Sequence, residues 1–156
     1  MKYNILLFDL DNTLLDFDAN EKESLEKLFK EKGFTLTEDI FKSFCIVNKG
    51  LWNRYEDGEI DIDEVLTTRF SLTMEKFGVK VSGDQWENMY KENLKNGSQM
   101  MDGAKEVCEK LAKTHRLFVA TNGVREIQLS RLEKAELLSC FENIFGSQSM
   151  GNHKQT

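Results

Sequence analysis

The run Ile5-Leu6-Leu7-Phe8 is apolar without a break and stops at Asp9-Leu10-Asp11-Asn12-Thr13. A short apolar run with no polar alternation marks a parallel strand covered on both faces. A second run, Leu117-Phe118-Val119-Ala120, stops at Thr121-Asn122-Gly123. Two strands of this kind commit the chain to a layered α/β fold, because parallel neighbours need helical crossovers packed on the sheet. Ligands of such sheets bind beyond the carboxyl ends of the strands. Both polar clusters stand at that place.

The stretch between the two runs has helical periodicity. Leu25, Leu28 and Phe29 share one face, and Gly33 is a stop signal. Ile40, Phe41, Phe44, Val47, Leu51, Trp52 and Tyr55 follow at helical spacing, ending before Asp57-Gly58. Asp61 is placed to cap a third helix, and Ser82-Gly83-Asp84-Gln85 resembles a capping box before Trp86 and Tyr90. Four amphipathic helices in a row predict a small bundle inserted into another domain. The aromatic residues read mainly as its packing. Past Met101, Asp102 is expected to cap a helix through Ala104, Cys108 and Leu111, with His115 at a helix end. A further helix is expected over about 124–137, to within three residues at either end, and Asn143-Ile144-Phe145 reads as a third strand. The predicted division is an α/β catalytic core of residues 1–16 and 96–156, with a helical cap of residues 17–95 inserted in it.

Composition narrows the function classes. A net charge of -6 over 156 residues argues against a nucleic acid polymer or an anionic membrane as partner. The longest apolar run is far too short to span a bilayer, and no charged-then-apolar leader opens the sequence. Cys45, Cys108 and Cys140 form neither a CxxC nor an even set, which points away from disulfides and zinc and towards a cytoplasmic location.

Asp9 and Asp11 place two carboxylates close together at a strand end. Like charges at that distance repel unless a proton or cation intervenes. Mg²⁺ suits the position, since it takes oxygen ligands and keeps several waters. One carboxylate could also serve as a nucleophile. The plain alternative is a polar turn closing a strand. At Thr121-Asn122-Gly123 a hydroxyl, an amide and a glycine sit where a strand hands over to a helix, whose first N–H groups attract phosphate. The plain alternative there is an ordinary turn with Thr121 or Asn122 as helix cap. Taken together, at the ends of two parallel strands, the clusters point to metal-assisted phosphoryl chemistry.

Phe8-Asp9-Leu10-Asp11-Asn12-Thr13-Leu14 resembles the DxDxT motif of the haloacid dehalogenase-like hydrolases. The segment from Thr121-Asn122-Gly123 through Gln128 and Arg131 to Leu132 resembles their second motif, in the TNGxxxxQxxRL form of the branch holding pyrimidine 5′-nucleotidases. Leu14-Leu15-Asp16-Phe17 and Asn48-Lys49-Gly50-Leu51-Trp52 look like the same branch. The resemblance implies a doubly wound parallel sheet with an inserted helical cap, and a Mg²⁺-dependent phosphatase acting on a small phosphorylated metabolite, a nucleoside 5′-monophosphate in this branch. It implies that Asp9 is the nucleophile and that Asp11 protonates the leaving oxygen and later activates water. It also implies that Asp9 and Asp11 bind Mg²⁺, the latter through its backbone carbonyl, and that Thr121 and Asn122 hold the phosphate.

The family's third motif is a lysine usually followed by proline. Lys154 is the candidate in register, followed by Gln155 in a chain with no proline at all. The fourth motif, an acidic GDxxxxD segment on a further strand, has no counterpart up to Thr156. The expectation is a C-terminally truncated core whose first strand is left as an unpaired edge, a seam through which two copies could pair. Two alternatives stand beside the phosphatase. One is a catalytically inactive fragment serving as a binding or dimerising module. The other is a dehalogenase of the same fold, which needs neither the second aspartate nor metal; Asp11 argues against it.

Overall fold

The computed structural model describes residues 4–97, 99–121 and 123–146. Among these residues three strands and six helices follow in the order β1 (Asn4–Asp9), α1 (Phe17–Glu31), α2 (Glu38–Glu56), α3 (Ile62–Glu75), α4 (Gly83–Lys95), α5 (Ala104–Leu111), β2 (His115–Thr121), α6 (Arg125–Lys134) and β3 (Asn143–Gly146). A single 3₁₀ turn, Leu138–Cys140, precedes β3. The chain divides into two compact units, Met1–Glu23 with Leu94–Thr156, and Ser24–Asn93. No helix among the described residues is long and apolar enough to cross a membrane.

The first unit is built on a parallel sheet ordered β1-β2-β3. The register aligns Phe8 with Val119 and Val119 with Ile144, so these three share one face. Val119 and Ile144 are buried there with Leu10, Leu14, Leu15, Leu132 and Leu137, α5 adds Ala104 and Cys108, and Ala135 joins them just past the end of α6. β2 is the central strand and the most deeply buried. β1 departs from expectation. Its apolar run is not covered on both faces, for Ile5 and Leu7 are 61% and 63% exposed. Two features explain this: β1 is an edge of the sheet, and the packed core lies on the face of Leu6 and Phe8. On the other face Phe118 and Phe145 stack at 5.9 Å.

Two further expectations are corrected. His115 begins β2 rather than ending a helix. Asp102 does not cap α5. The cap is Gly103, in the left-handed region at φ 79°, with no side-chain hydrogen bond. Glycine enters that region without steric cost, and this fixes the helix start without a side-chain cap.

The second unit is helical. Its core brings Leu25, Leu28 and Phe29 of α1 together with Phe44 and Leu51 of α2, Val65, Phe70 and Met74 of α3, and Trp86 and Tyr90 of α4, all buried. Phe44 stacks on Phe70 at 5.0 Å, and Phe29 meets Trp86 edge-on at 5.1 Å. Thr37 and Asp61 cap α2 and α3 by accepting from the Ile40 and Glu64 N–H groups, at 3.2 and 2.9 Å. Ser82 accepts from the Gln85 N–H at 3.3 Å, one half of the anticipated box. Inside this apolar bundle Arg69 grips Glu87 with two hydrogen bonds of 2.8 Å and donates a third to Asn48.

Candidate active site

β1 and β2 run side by side, and the register pairs Asp9 with Ala120. Their carboxyl ends therefore bring Asp9 and Thr121 to one end of the sheet. Asp9 is exposed and Leu10 is fully buried. The strand's alternation thus throws Asp9 outward while Leu10 anchors the chain in the core. The Leu10 carbonyl accepts from the Leu14 and Leu15 N–H groups at 3.0 and 3.1 Å, folding the segment into a tight turn. Asn12 occupies the left-handed region at φ 60°, one of the few residue types that does so readily. The turn holds because Leu14 and Leu15 are buried beside Leu10. Asp11 sits at its start with its side chain 30% exposed.

At the end of β2, Thr121 is buried. Its Oγ1 accepts from the Gly123 N–H at 3.0 Å and from Gln128 Nε2 at 3.0 Å. A hydroxyl has two acceptor positions and one proton to donate. With both acceptor positions filled, the Thr121 hydroxyl still has its proton to donate. Thr121 is thus not the cap of α6. That place falls to Val124, which makes no side-chain cap bond. Asn122 and Lys154 lie outside the described residues.

One cluster joins the two strand ends. Gln128 Nε2 donates to Asp11 Oδ2 at 3.0 Å as well as to Thr121. Arg131 Nη1 donates to Asp11 Oδ1 at 2.5 Å and to Gln128 Oε1 at 2.8 Å. Arg131 is buried, with its guanidinium 5.5 Å from the centre of the Phe17 ring. Its Nε and Nη2 are buried without a hydrogen-bond partner among the described residues. Gly123 makes this arrangement possible: a Cβ there would stand 2.6 Å from Gln128 Nε2. Gln128 and Arg131 carried no assigned role in the sequence reading, although both fall inside the second motif. The available signal was their place on α6: they alternate with buried Ile127 and Leu132, and so lie on the core-facing stripe rather than the solvated one.

Asp9 and the Asp11 backbone carbonyl are oxygen donors of the kind Mg²⁺ takes, and Mg²⁺ commonly binds through one or two carboxylates with water and substrate phosphate completing its shell. The Asp11 carboxylate itself is already engaged by Arg131 and Gln128. Among the described residues no group of three or more His, Cys, Asp or Glu side chains gathers to hold a metal. The residues present fit a partial site.

Comparison with known proteins bears on the family and the fold. The family model described as haloacid dehalogenase-like hydrolase matches residues 6–156. A Bacillus subtilis (strain 168) protein named as a HAD-hydrolase, YfnB, is 37% identical over 153 residues, covering 98% of this chain and 65% of the relative. The pyrimidine 5′-nucleotidase PynA of Streptococcus pneumoniae is 36% identical over 155 residues, covering 99% of this chain and 65% of the relative. The crystal structure of YfnB bound to magnesium superposes with a TM-score of 0.93, covering 97% of this chain and 68% of that one. The chain thus spans about 65% of the length of these curated relatives.

Proposed function

This chain belongs to the haloacid dehalogenase-like hydrolases, and from that premise we propose that it hydrolyses phosphomonoesters, with a nucleoside 5′-monophosphate as substrate class. The observation that carries the reading is the junction of Asp11 and Thr121 through one amide, at the carboxyl ends of adjacent parallel strands. The nucleotide class rests on the similarity to a pyrimidine 5′-nucleotidase.

In this reading an Asp9 oxygen attacks phosphorus while the ester oxygen leaves with a proton from Asp11. Water then attacks the phosphorus of the aspartyl phosphate, giving its proton to Asp11. Phosphate departs and both carboxyl groups are restored. The Thr121 hydroxyl and the Asn122 side chain hold the phosphate oxygens, with Lys154 as a third holder. Asp9 and the Asp11 carbonyl would hold Mg²⁺, which when bound offsets the repulsion between a carboxylate nucleophile and a phosphate dianion. The inserted helices govern substrate choice.

Asp9→Asn abolishes phosphate release from a nucleoside monophosphate in this reading, since the amide is a far poorer nucleophile. Turnover retained in that variant would remove Asp9 from the nucleophile's role. A second reading, a non-catalytic module, is favoured by the described residues bringing no three His, Cys, Asp or Glu side chains together. Phosphate release by the 156-residue chain with Mg²⁺ separates the two: release supports the phosphatase, and none supports the module.

A further inference from the structure

Asp11 is gripped at both carboxylate oxygens by one helix, α6, and the same amide that holds it also holds Thr121. We propose that Gln128 and Arg131 are positioning residues that lock the Asp11 carboxylate to the Thr121 hydroxyl, so that the proton-transfer group and the phosphate-holding group keep one spacing. The inference rests on the phosphatase reading above and extends it to two residues outside the reacting set.

The geometry carries it. Asp11 and Thr121 come from different strand ends, 110 positions apart in sequence, and nothing in either strand alone fixes the distance between their side chains. Gln128 Nε2 has two N–H directions in one plane, and it spends one on each. Turned over, that amide would set its oxygen against the Asp11 carboxylate, and Arg131 prevents this by donating to Gln128 Oε1. The same Arg131 nitrogen holds the second Asp11 oxygen. Neither the carboxylate nor the amide can rotate about its last bond without losing a partner. Arg131 achieves this at a cost, because its side chain is 1% exposed and two of its nitrogens have no partner among the described residues. An apolar side chain on the same core-facing stripe would avoid that cost but could not hold Asp11.

Wild type, Gln128→Leu, Arg131→Met and Arg131→Lys are compared by steady-state hydrolysis of a nucleoside 5′-monophosphate with Mg²⁺, with circular dichroism as the check on folding. Loss of a fixed reacting geometry is expected to lower kcat about 100-fold in Gln128→Leu and Arg131→Met, with KM nearly unchanged. Arg131→Lys keeps a cation within reach of Asp11 and is expected to recover about a tenfold part of the loss. A rise in KM at unchanged kcat, or a lysine variant no better than methionine, overturns the proposal. A second measurement needs no turnover: the NMR signals of the Gln128 side-chain amide. They are expected to exchange slowly with solvent in wild type, and in Asp11→Ala to shift and exchange faster, since one of the two N–H bonds is lost while those to Thr121 and Arg131 remain. An amide indifferent to Asp11→Ala overturns the proposal even if Arg131→Met fails to fold. Should wild type release no phosphate, the phosphatase reading fails, and the amide signals alone decide whether Gln128 couples the two groups.

Discussion

At the scale of single residues, Gly123 decides whether the Asp11–Thr121 junction exists. Its N–H donates to Thr121 Oγ1, and its missing Cβ is what lets Gln128 Nε2 come so close. The obstructing group is the far end of a flexible side chain, so an added methyl group would push Gln128 aside rather than break the backbone. Gly123→Ala is therefore expected to leave the fold nearly as stable, with a change within about 1 kcal/mol by thermal unfolding. The same variant is expected to lose turnover about as severely as Gln128→Leu, because the displaced amide releases both Asp11 and Thr121. A large drop in unfolding temperature with full turnover would show that Gly123 serves the backbone instead. The sequence presented this glycine as part of a strand-to-helix turn, and its closeness to Gln128 was hidden because it depends on how α6 packs. The position of Asp9, Asp11 and Thr121 at the strand ends was legible because the ends of apolar runs place them. Gln128 and Arg131 were not, because polar residues on a helix are read as solvated until its buried face is known.

At the scale of elements, strand and helix identity followed from periodicity, and the ends only to within a few residues. α6 was placed at about 124–137, to within three residues at either end, and runs Arg125–Lys134. The stop is a left-handed residue, Glu136 at φ 61°, after which the Leu137 N–H bonds back to the Leu132 carbonyl at 2.9 Å. Glycine is the usual occupant of that place, so a glutamate there gave no stop signal. The buried Arg69–Glu87 pair was equally unreadable, since two charged residues on separate helices declare nothing about burial. Burial raises the Glu87 pKa from its ordinary 4.5, outweighing the attraction of Arg69 and of nearby Lys91. The folded protein therefore holds this proton more tightly than the unfolded chain. Its contribution to stability is full below the ordinary value and is lost as pH rises through the raised one. Wild type is thus expected to lose stability relative to Glu87→Gln as pH rises from about 4.5, followed by urea unfolding at each pH. A difference that stays constant across that range would contradict the assignment. Arg69→Met at neutral pH strands the carboxylate and is expected to cost about 3 kcal/mol.

At the scale of the whole molecule, β1 is one of the two open edges of the sheet among the described residues, and the one with the more exposed apolar side chains. β1 pairs with β2 on one side only, and Ile5 and Leu7 stay largely exposed. Their neighbours Leu6 and Phe8 are partly buried, so the strand is tied to the core through one face. An open strand edge with apolar side chains is a template for another strand. Two copies meeting edge to edge in antiparallel fashion would use the same surface twice, and such a contact closes on itself as a dimer. The chain is therefore expected to self-associate at concentrations up to about 100 µM, measured by light scattering on the eluting species. Leu7→Lys is the discriminating variant. It places a charge on the open face while leaving Leu6 and Phe8 in the core, and lysine is a common means by which edge strands resist pairing. A monomer in the variant and a dimer in wild type would assign the contact to β1. A wild-type chain that stays monomeric throughout, or a dimer indifferent to Leu7→Lys, would place any association elsewhere and leave β1 an edge that its own twist and flanking charges, Asp9 among them, suffice to protect.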